Sequence, residues 1–468
     1  MSSEISTTSS GSGITCIRAG WVIQVDEENS VIPDGCVVWD NESHRILNVC
    51  PFSELPADVE VTEHLSKHAI MPGMVNCHTH TPMAPLRGYS DDQNLQEWLQ
   101  QYVWPAEAKF VSPEFAKLGS QLCIYEMLLS GSTAFVDMYM FPHAVAEVAN
   151  DAHIRCFNGE AVMDIGDGSI DKMIDAAAEY VKKKENRSEM VTPLNIAHAT
   201  YTVPKDKLKR IAAIAKPAGT LVHIHLNESQ AEVDDYFNEH GESAIDAIDE
   251  AGLLNDHLIA AHCVHMTDED TAEISMPHFE ITRFAKAGAN AVHCPRANAK
   301  LASGIAKVQK MLDAGVNVCL GTDSSCCNNS MDMLQEMQYA SLLGKVAGPG
   351  MNPKAVNCYT AVRMATINGA RAVRRESDLG SLEVGKLVDM IAIDLGRLEN
   401  QPVYDPVSAI VYTNQRSVTD VWIGGKRVVR DREVLTVCKP SVERLADYQK
   451  QIAEFKAERK AAEVAAHA

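Results

Sequence analysis

The 468-residue chain is 46% hydrophobic and 22% charged, ordinary proportions for a globular protein with room for one large core and a smaller one. Its formal net charge of -21 argues against a nucleic-acid partner held by phosphate contacts and against an anionic membrane surface. Thirteen cysteines, with no C-x-x-C pair and only Cys326 and Cys327 adjacent, read as reduced, mostly buried thiols in a cytosolic protein, not as a disulfide scaffold.

The opening stretch "MSSEISTTSSGSG" (residues 1–13) has neither a basic n-region nor an apolar h-region, so it reads as a flexible leader and not a secretory signal. No run approaches the 18 apolar residues that would span a bilayer, and the expected location is the cytoplasm. Residues 14–70 hold short alternating runs ("GWVIQVD", "GCVVWD", "RILNV") separated by turn signals, which predict antiparallel strands. Similar runs return in "LVDMIAIDL" and "VTDVWIGGKRVVR". Residues 14–70 and 381–438 are therefore expected to form one small β-sandwich domain from both chain ends. Residues 439–468 end in "ERLADYQKQIAEFKAERKAAEVAAHA", rich in helix formers and charge, which predicts a solvent-facing helix that frays at its end.

The middle of the chain is patterned differently. Apolar runs, each followed by a longer helical stretch, recur eight times: "IMPGMVNCHTH", "STAFVDM", "IRCFNGEAV", "LNIAHAT", "GTLVHIHL", "HLIAAHC", "ANAVHC" and "GVNVCLGTD". Eight β/α units between residues 71 and 380 predict an α/β fold, a (β/α)8 TIM-like barrel, with a doubly wound sheet as the alternative.

In that architecture the polar residues converge. Side chains at i and i+2 of a strand share a face, so His78 and His80, closing the first strand, can both point into the barrel. His198 ends the fourth strand, His225 the fifth, His262 the sixth and Asp323 the eighth. All lie at the C-terminal strand ends, where barrel enzymes carry their chemistry. Imidazoles plus a carboxylate in one barrel mouth point to a divalent metal site. Three His nitrogens and one Asp oxygen suit Zn and leave room for water, and Fe would tolerate the same set. His223, deeper in the fifth strand, together with His265 and His293, is expected to support neighbours and not to bind. His44, His64, His68 and His467 are expected at the surface. The cysteine pattern lacks the H-x-E…P-C-x-x-C signature of cytidine-type zinc deaminases.

At "MPGMVNCHTH", "HLNES", "AAHC" and "LGTDSS" the chain resembles the amidohydrolase superfamily. With "TPMAPLRGYSDDQNLQEWLQQYVWPAE", "HCPRANAKLASGIAKVQKMLDAGVNV" and "ATINGARAV…GSLEVGKLVDMIAIDL" it is similar to the 5'-methylthioadenosine/S-adenosylhomocysteine deaminases, over roughly residues 15 to 435. The resemblance implies a metal on His78, His80, His225 and Asp323, and ribose hydroxyls on Glu107. It implies a purine contact at His198 and an aromatic lining residue at Trp98. Glu228 is implied as the acid beside the reacting ring, and His262 as the contact of the attacking hydroxide. Binuclear members carry a bridging lysine at the end of the fourth strand; "NIAHATYT" has none, so one metal per subunit is expected.

These residues imply hydrolytic deamination at C6 of an adenine nucleoside, with Glu228, His262 and Asp323 catalytic and with Asp323 and Glu228 also touching substrate. Some members bind the carboxylate of S-adenosylhomocysteine with two arginines after the third strand. Here "CFNGEAVMDIGDGSIDK" offers Asn158 and about Ser169 instead, with Arg155 and Arg187 the nearest cations, so 5'-methylthioadenosine or adenosine is the expected substrate. Cys327 stands where the family often has serine, and a thiol donates a weaker hydrogen bond. The rivals are an amidohydrolase of ring amines or halides (guanine or triazine type), distinguished by Glu107, and a non-catalytic scaffold, distinguished by the complete ligand set. The expected partner is a small-molecule nucleoside, with neither nucleic acid nor membrane, and a closed homo-oligomer is the expected assembly.

Overall fold

A computed structural model describes residues 13–267, 279–348, 350–413, 417–437 and 439–466. The first four strands, β1 (Ile14–Ile23), β2 (Val31–Asp40), β3 (Ile46–Pro51) and β4 (Glu63–Pro72), precede the barrel. The barrel region follows with β5 (Met74–Thr79), β6 (Ser132–Tyr139), β7 (Arg155–Val162), β8 (Val191–Pro193), β9 (Asn195–Ala199), β10 (Val222–Leu226), β11 (Leu258–His262), β12 (Asn290–His293) and β13 (Asn317–Leu320). Four late strands, β14 (Met390–Asp394), β15 (Val418–Ile423), β16 (Lys426–Arg430) and β17 (Glu433–Val434), close the list. The leader falls almost entirely outside the described residues, as does His467.

All eight expected barrel strands form, in the order β5-β6-β7-β9-β10-β11-β12-β13, paired in parallel, with the short β8 beside β7. Strands β10, β11 and β12 are buried along their whole length because both faces are covered, by side chains inside and helices outside. The seam between β13 and β5 is closed by hydrogen bonds just past the last strand. Asp323 N donates to His78 O at 2.9 Å, Thr322 N to Asn76 Oδ1 at 2.9 Å, and Asn76 Nδ2 to Thr322 Oγ1 at 2.8 Å. A side chain at Gly321 would meet His78 Cβ at 2.8 Å, so this close approach requires glycine.

The other strands make one eight-stranded sheet, β17-β16-β15-β14-β4-β1-β2-β3, antiparallel except for the parallel pair β1 and β4. Ile17, Val22, Val37, Trp39, Ile70 and Trp422 share its own apolar cluster. The first expected barrel run therefore covers two strands: Ile70 and Met71 belong to this sheet, and the barrel begins after Gly73. The two sheets are joined by the buried, bidentate ion pair of Arg155, at the start of β7, with Asp389, at 2.8 Å for both bonds.

Twelve cysteines are free thiols among the described residues, all but Cys358 buried. His64 is exposed, whereas His44 and His68 are half-buried, short of the surface position expected for them. No helix among the described residues is long and apolar enough to cross a membrane.

The helix Val442–Ala466 forms as expected, but it is not simply solvent-facing. Ile452 is buried, and Tyr448 and Phe455 pack edge-on against Phe115 and Phe110 at ring-centroid distances of 5.1 and 5.5 Å.

Candidate active site

Strand geometry brings the ligand-type residues together. Between Asn76↔Phe135 and Thr79↔Asp137, Cys77 and His78 of β5 oppose the single Val136 of β6, so a bulge falls at His78, whose Nδ1 lies 2.8 Å from His223 Nε2. His80 follows β5 directly. His262 and Asp323 sit at φ of 74° and 62°, left-handed conformations that cost about 1–3 kcal/mol each for a non-glycine residue and that recur at functional sites.

The hydrogen bonds at each ring's far nitrogen fix what its near nitrogen can do. His80 Nδ1 donates to Met138 O at 2.5 Å, and His225 Nδ1 donates to His198 O at 2.7 Å. Carbonyls only accept, so both Nε2 atoms of the neutral rings are lone pairs. His223 Nδ1 donates to Ile259 O at 2.8 Å, and burial lowers that imidazole to about 3, keeping it neutral. Its Nε2 then accepts from His78 Nδ1 at 2.8 Å, which leaves His78 Nε2 bare as well. That nitrogen is fully buried without a hydrogen-bond partner.

These bare nitrogens converge. His80 Nε2 lies 3.3 Å from His225 Nε2, and Asp323 Oδ1 lies 3.3 Å from His80 Nε2 and 3.5 Å from His78 Nε2. Two overlapping groups, His78/His80/His225 and His78/His262/Asp323, place their ligand atoms within 4.8 Å of one another. Lone pairs aimed at one point in a dry site repel unless a cation lies between them, so the donor set fits a divalent metal. Burial would raise Asp323, but the neighbouring His78 and His80 outweigh it and hold the carboxyl well below the usual carboxylate range. Burial would lower His80, yet Asp323 raises it, so a proton competes for the position a cation would take.

Above this point opens a cleft of about 710 Å³. Of the residues singled out from sequence, His80, Trp98, Glu107, His198, His225, Glu228, His262 and Asp323 line it, while His78 lies beneath, fully buried. Burial raises Glu228 above the usual carboxylate range; Ser303 Oγ donates to its Oε1 at 3.2 Å, and His262 Nε2 lies 3.4 Å from its Oε2. Glu107 is raised to about 7 by burial and accepts from Tyr139 OH at 2.5 Å. His198 is lowered to about 3 by burial, with its Nδ1 on Thr202 Oγ1 at 2.8 Å.

His265 Nε2 donates to Ser303 O, as expected of a supporting histidine, and His293 is buried off the cleft wall. Cys327 does not line the cleft; its thiol sits 3.1 Å from Ser324 Oγ inside the buried turn after Asp323. No Lys or Arg lines the cleft among the described residues. Arg155 is held by Asp389, and Arg187 is exposed elsewhere.

Sequence reasoning missed several supports. Asn298 Oδ1 lies 2.8 Å from His262 Nδ1, and Glu232 accepts from the main-chain N–H of Asn227 and of Glu228. Tyr139 closes β6, so the strand-end rule applied to every polar residue would have found it. Asn298 stands in the short helix Pro295–Lys300 and Ser303 in the loop after it, where nothing but the fold brings them to the site.

Residues 69–428 match the family model described as "Amidohydrolase family". The chain belongs to the amidohydrolase family. This amidohydrolase is 37% identical over 432 residues to the 5-methylthioadenosine/S-adenosylhomocysteine deaminase of Teredinibacter turnerae, covering 91% of this chain and 94% of that protein. An adenosine deaminase from Xanthomonas campestris, solved with bound zinc, superposes with a TM-score of 0.87 at 33% identity, covering 94% of this chain and 98% of that one. The atrazine chlorohydrolase of Arthrobacter aurescens TC1, at 21% identity and a TM-score of 0.81 over 94% and 99%, shares the fold.

Proposed function

We propose that this amidohydrolase is a hydrolytic deaminase acting at C6 of an adenine nucleoside, releasing ammonia and an inosine-type product. The observation that carries the reading is a pair of carboxyl groups, Glu228 and Asp323, in one cleft at 3.4 and 3.9 Å from His262 Nε2. Burial holds Glu228 towards its protonated form, while His78 and His80 hold Asp323 ionised despite its burial. Deamination needs one acid and one base at the same carbon.

His78, His80, His225 and Asp323 would hold a single divalent cation, zinc by donor type, as in the zinc-bound adenosine deaminase it resembles. When bound, such an ion supplies Lewis acidity and makes hydroxide available near neutral pH. Glu228, as the acid, gives its proton to the ring nitrogen beside the reacting carbon and takes one back from the hydroxyl of the adduct as the amine leaves and the carbonyl forms. Asp323, as the base, takes the proton of the attacking water and passes it to the departing amine. His262 Nε2, 3.4 Å from Glu228 Oε2 and 3.9 Å from Asp323 Oδ2, stands between the two and stabilises charge on the attacking oxygen. His198, kept neutral, contacts the purine, and Trp98 offers an apolar wall to it. At the far end Glu107 accepts the ribose hydroxyls, which favours a nucleoside over the free ring of a guanine- or triazine-type substrate.

The 5' end of the substrate would be uncharged. Met83, Met138, Met140 and Met163 line the cleft, which among the described residues offers no cation to an amino-acid carboxylate. This supports 5'-methylthioadenosine or adenosine over S-adenosylhomocysteine. The test is ammonia release from all three by zinc-loaded protein, with Glu228→Gln alongside. Deamination lost in the variant, and the lowest kcat/KM on S-adenosylhomocysteine, is the expected result; an equal or higher value on that substrate would overturn the preference. No release from any of them, with zinc bound, would overturn the adenine reading.

A further inference from the structure

The cleft wall that carries Trp98 and Glu107 is a helical run, Leu95–Glu97, Trp98–Val103 and Trp104–Phe110, whose middle six residues form a π-helical turn. Wide turns of this kind are marginal alone and persist where neighbours over-determine them. Here the neighbour is the C-terminal helix Val442–Ala466. Its Ile452, only 4% exposed, belongs to the same apolar cluster as Trp98, Leu99 and Val103, three residues that also line the cleft. Two main-chain carbonyls of this region are tied from the same helix. Lys456 Nζ donates to Tyr89 O at 2.6 Å, and Arg459 Nη2 to Gln101 O at 3.1 Å.

We propose that Ile452 and Lys456 are positioning residues for substrate: the C-terminal helix braces the 89–110 segment from outside and so fixes where Trp98 and Glu107 stand in the cleft. The hydrogen bonds and ring contacts of the helix fall on Tyr89, Gln101, Phe110 and Phe115, none of them a ligand-type residue. What Glu107 does there rests on the function proposed above, but the brace itself does not.

The experiment uses the full-length, metal-loaded chain carrying Ile452→Ala, Lys456→Met or Lys456→Arg. Hydrogen–deuterium exchange is followed over 89–110 and over β5 to β13, beside kcat and KM for 5'-methylthioadenosine. For Ile452→Ala, exchange rises over 89–110 and stays at wild-type level in the barrel strands, and KM rises roughly tenfold with kcat retained, because a loosened wall misplaces the diol. Lys456→Met moves both readouts the same way by less, and Lys456→Arg restores them. Unchanged exchange over 89–110, an unchanged KM, or exchange rising across the whole barrel would each overturn the proposal. Should Ile452→Ala fail to fold, Lys456→Met against Lys456→Arg decides it. If the wild type deaminates no adenine nucleoside, the functional reading fails while the exchange data still decide the brace.

Discussion

His80 Nε2 and His225 Nε2 face each other at 3.3 Å, each made a lone pair by the carbonyl behind its ring, Met138 O and His198 O. Two acceptors at that distance are held together only by something positive between them. A proton serves at low pH, since Asp323 raises His80 against its burial; a cation serves at higher pH. Removing the metal from the purified protein is therefore expected to lower its melting temperature at pH 8. The difference should shrink as the pH falls towards 5, where protons fill the gap. Differential scanning calorimetry with and without chelator checks this, and a metal effect that grows on acidification would contradict it.

The two overlapping ligand groups make different demands on His225 and His262. His225 turns its Nε2 to His80, whereas His262 turns its Nε2 to the carboxylates of Glu228 and Asp323. His225→Asn should lose bound metal on dialysis, and activity with it. His262→Asn should keep near-stoichiometric metal while kcat falls roughly 10²- to 10⁴-fold, the range for losing a proton-transfer or charge-stabilising group. Atomic absorption beside kinetics separates them; metal loss in His262→Asn would move that residue into the ligand set.

What could be read from the chain and what could not divide along physical lines. The barrel was legible because a buried parallel strand is apolar on both faces, and His78, His225 and Asp323 because polar groups ending such strands stand out. The supports behind them were not. The acceptors for His80, His225 and His223 are the main-chain oxygens of Met138, His198 and Ile259, which any residue could supply. The run "IMPGMV" was read as one strand because its hydrophobicity is continuous, although Gly73 marks the passage from one sheet to the other. The bracing face of the C-terminal helix is carried by Tyr448, Ile452 and Phe455 amid charged residues, too sparse for periodicity to show.

Glu107 is raised to about 7 by burial, against a hydrogen bond from Tyr139 that favours its charge. In the proposed function it would accept, as a carboxylate, from both ribose hydroxyls; once protonated it would have a donor where an acceptor is wanted. KM for an adenine ribonucleoside is thus expected to rise as pH falls below about 7, with kcat less affected. Glu107→Gln should show the raised KM at every pH, by about tenfold for one lost charge-assisted bond, and should discriminate less against a 3'-deoxynucleoside. A KM insensitive to pH in the wild type, or discrimination retained in the variant, would remove Glu107 from the diol.

Glu336 gives a stability prediction independent of the reaction. It is fully buried, accepts from Asn328 Nδ2 at 2.8 Å and lies 3.9 Å from Arg296 Nη1, yet burial outweighs both and raises it to about 8. Between the unfolded value near 4.5 and about 8 the folded protein holds a proton that the unfolded chain has released. Stability from this group is full below about 4.5 and is lost as pH rises through 8, at up to about 1.4 kcal/mol per pH unit. The buried neutral histidines His198, His223 and His293, lowered to about 3, work the other way, but only below pH 6.5, where the unfolded chain becomes charged. From pH 6.5 to 8 the buried carboxyls are joined only by His80, whose raised imidazole changes stability in the same direction. Urea midpoints are expected to fall across that window, and Glu336→Gln, which keeps an acceptor for Asn328 without an ionisable group, should flatten the fall. An equal slope in variant and wild type would mean that Glu336 is already ionised at pH 6.5, with Arg296 as its true partner.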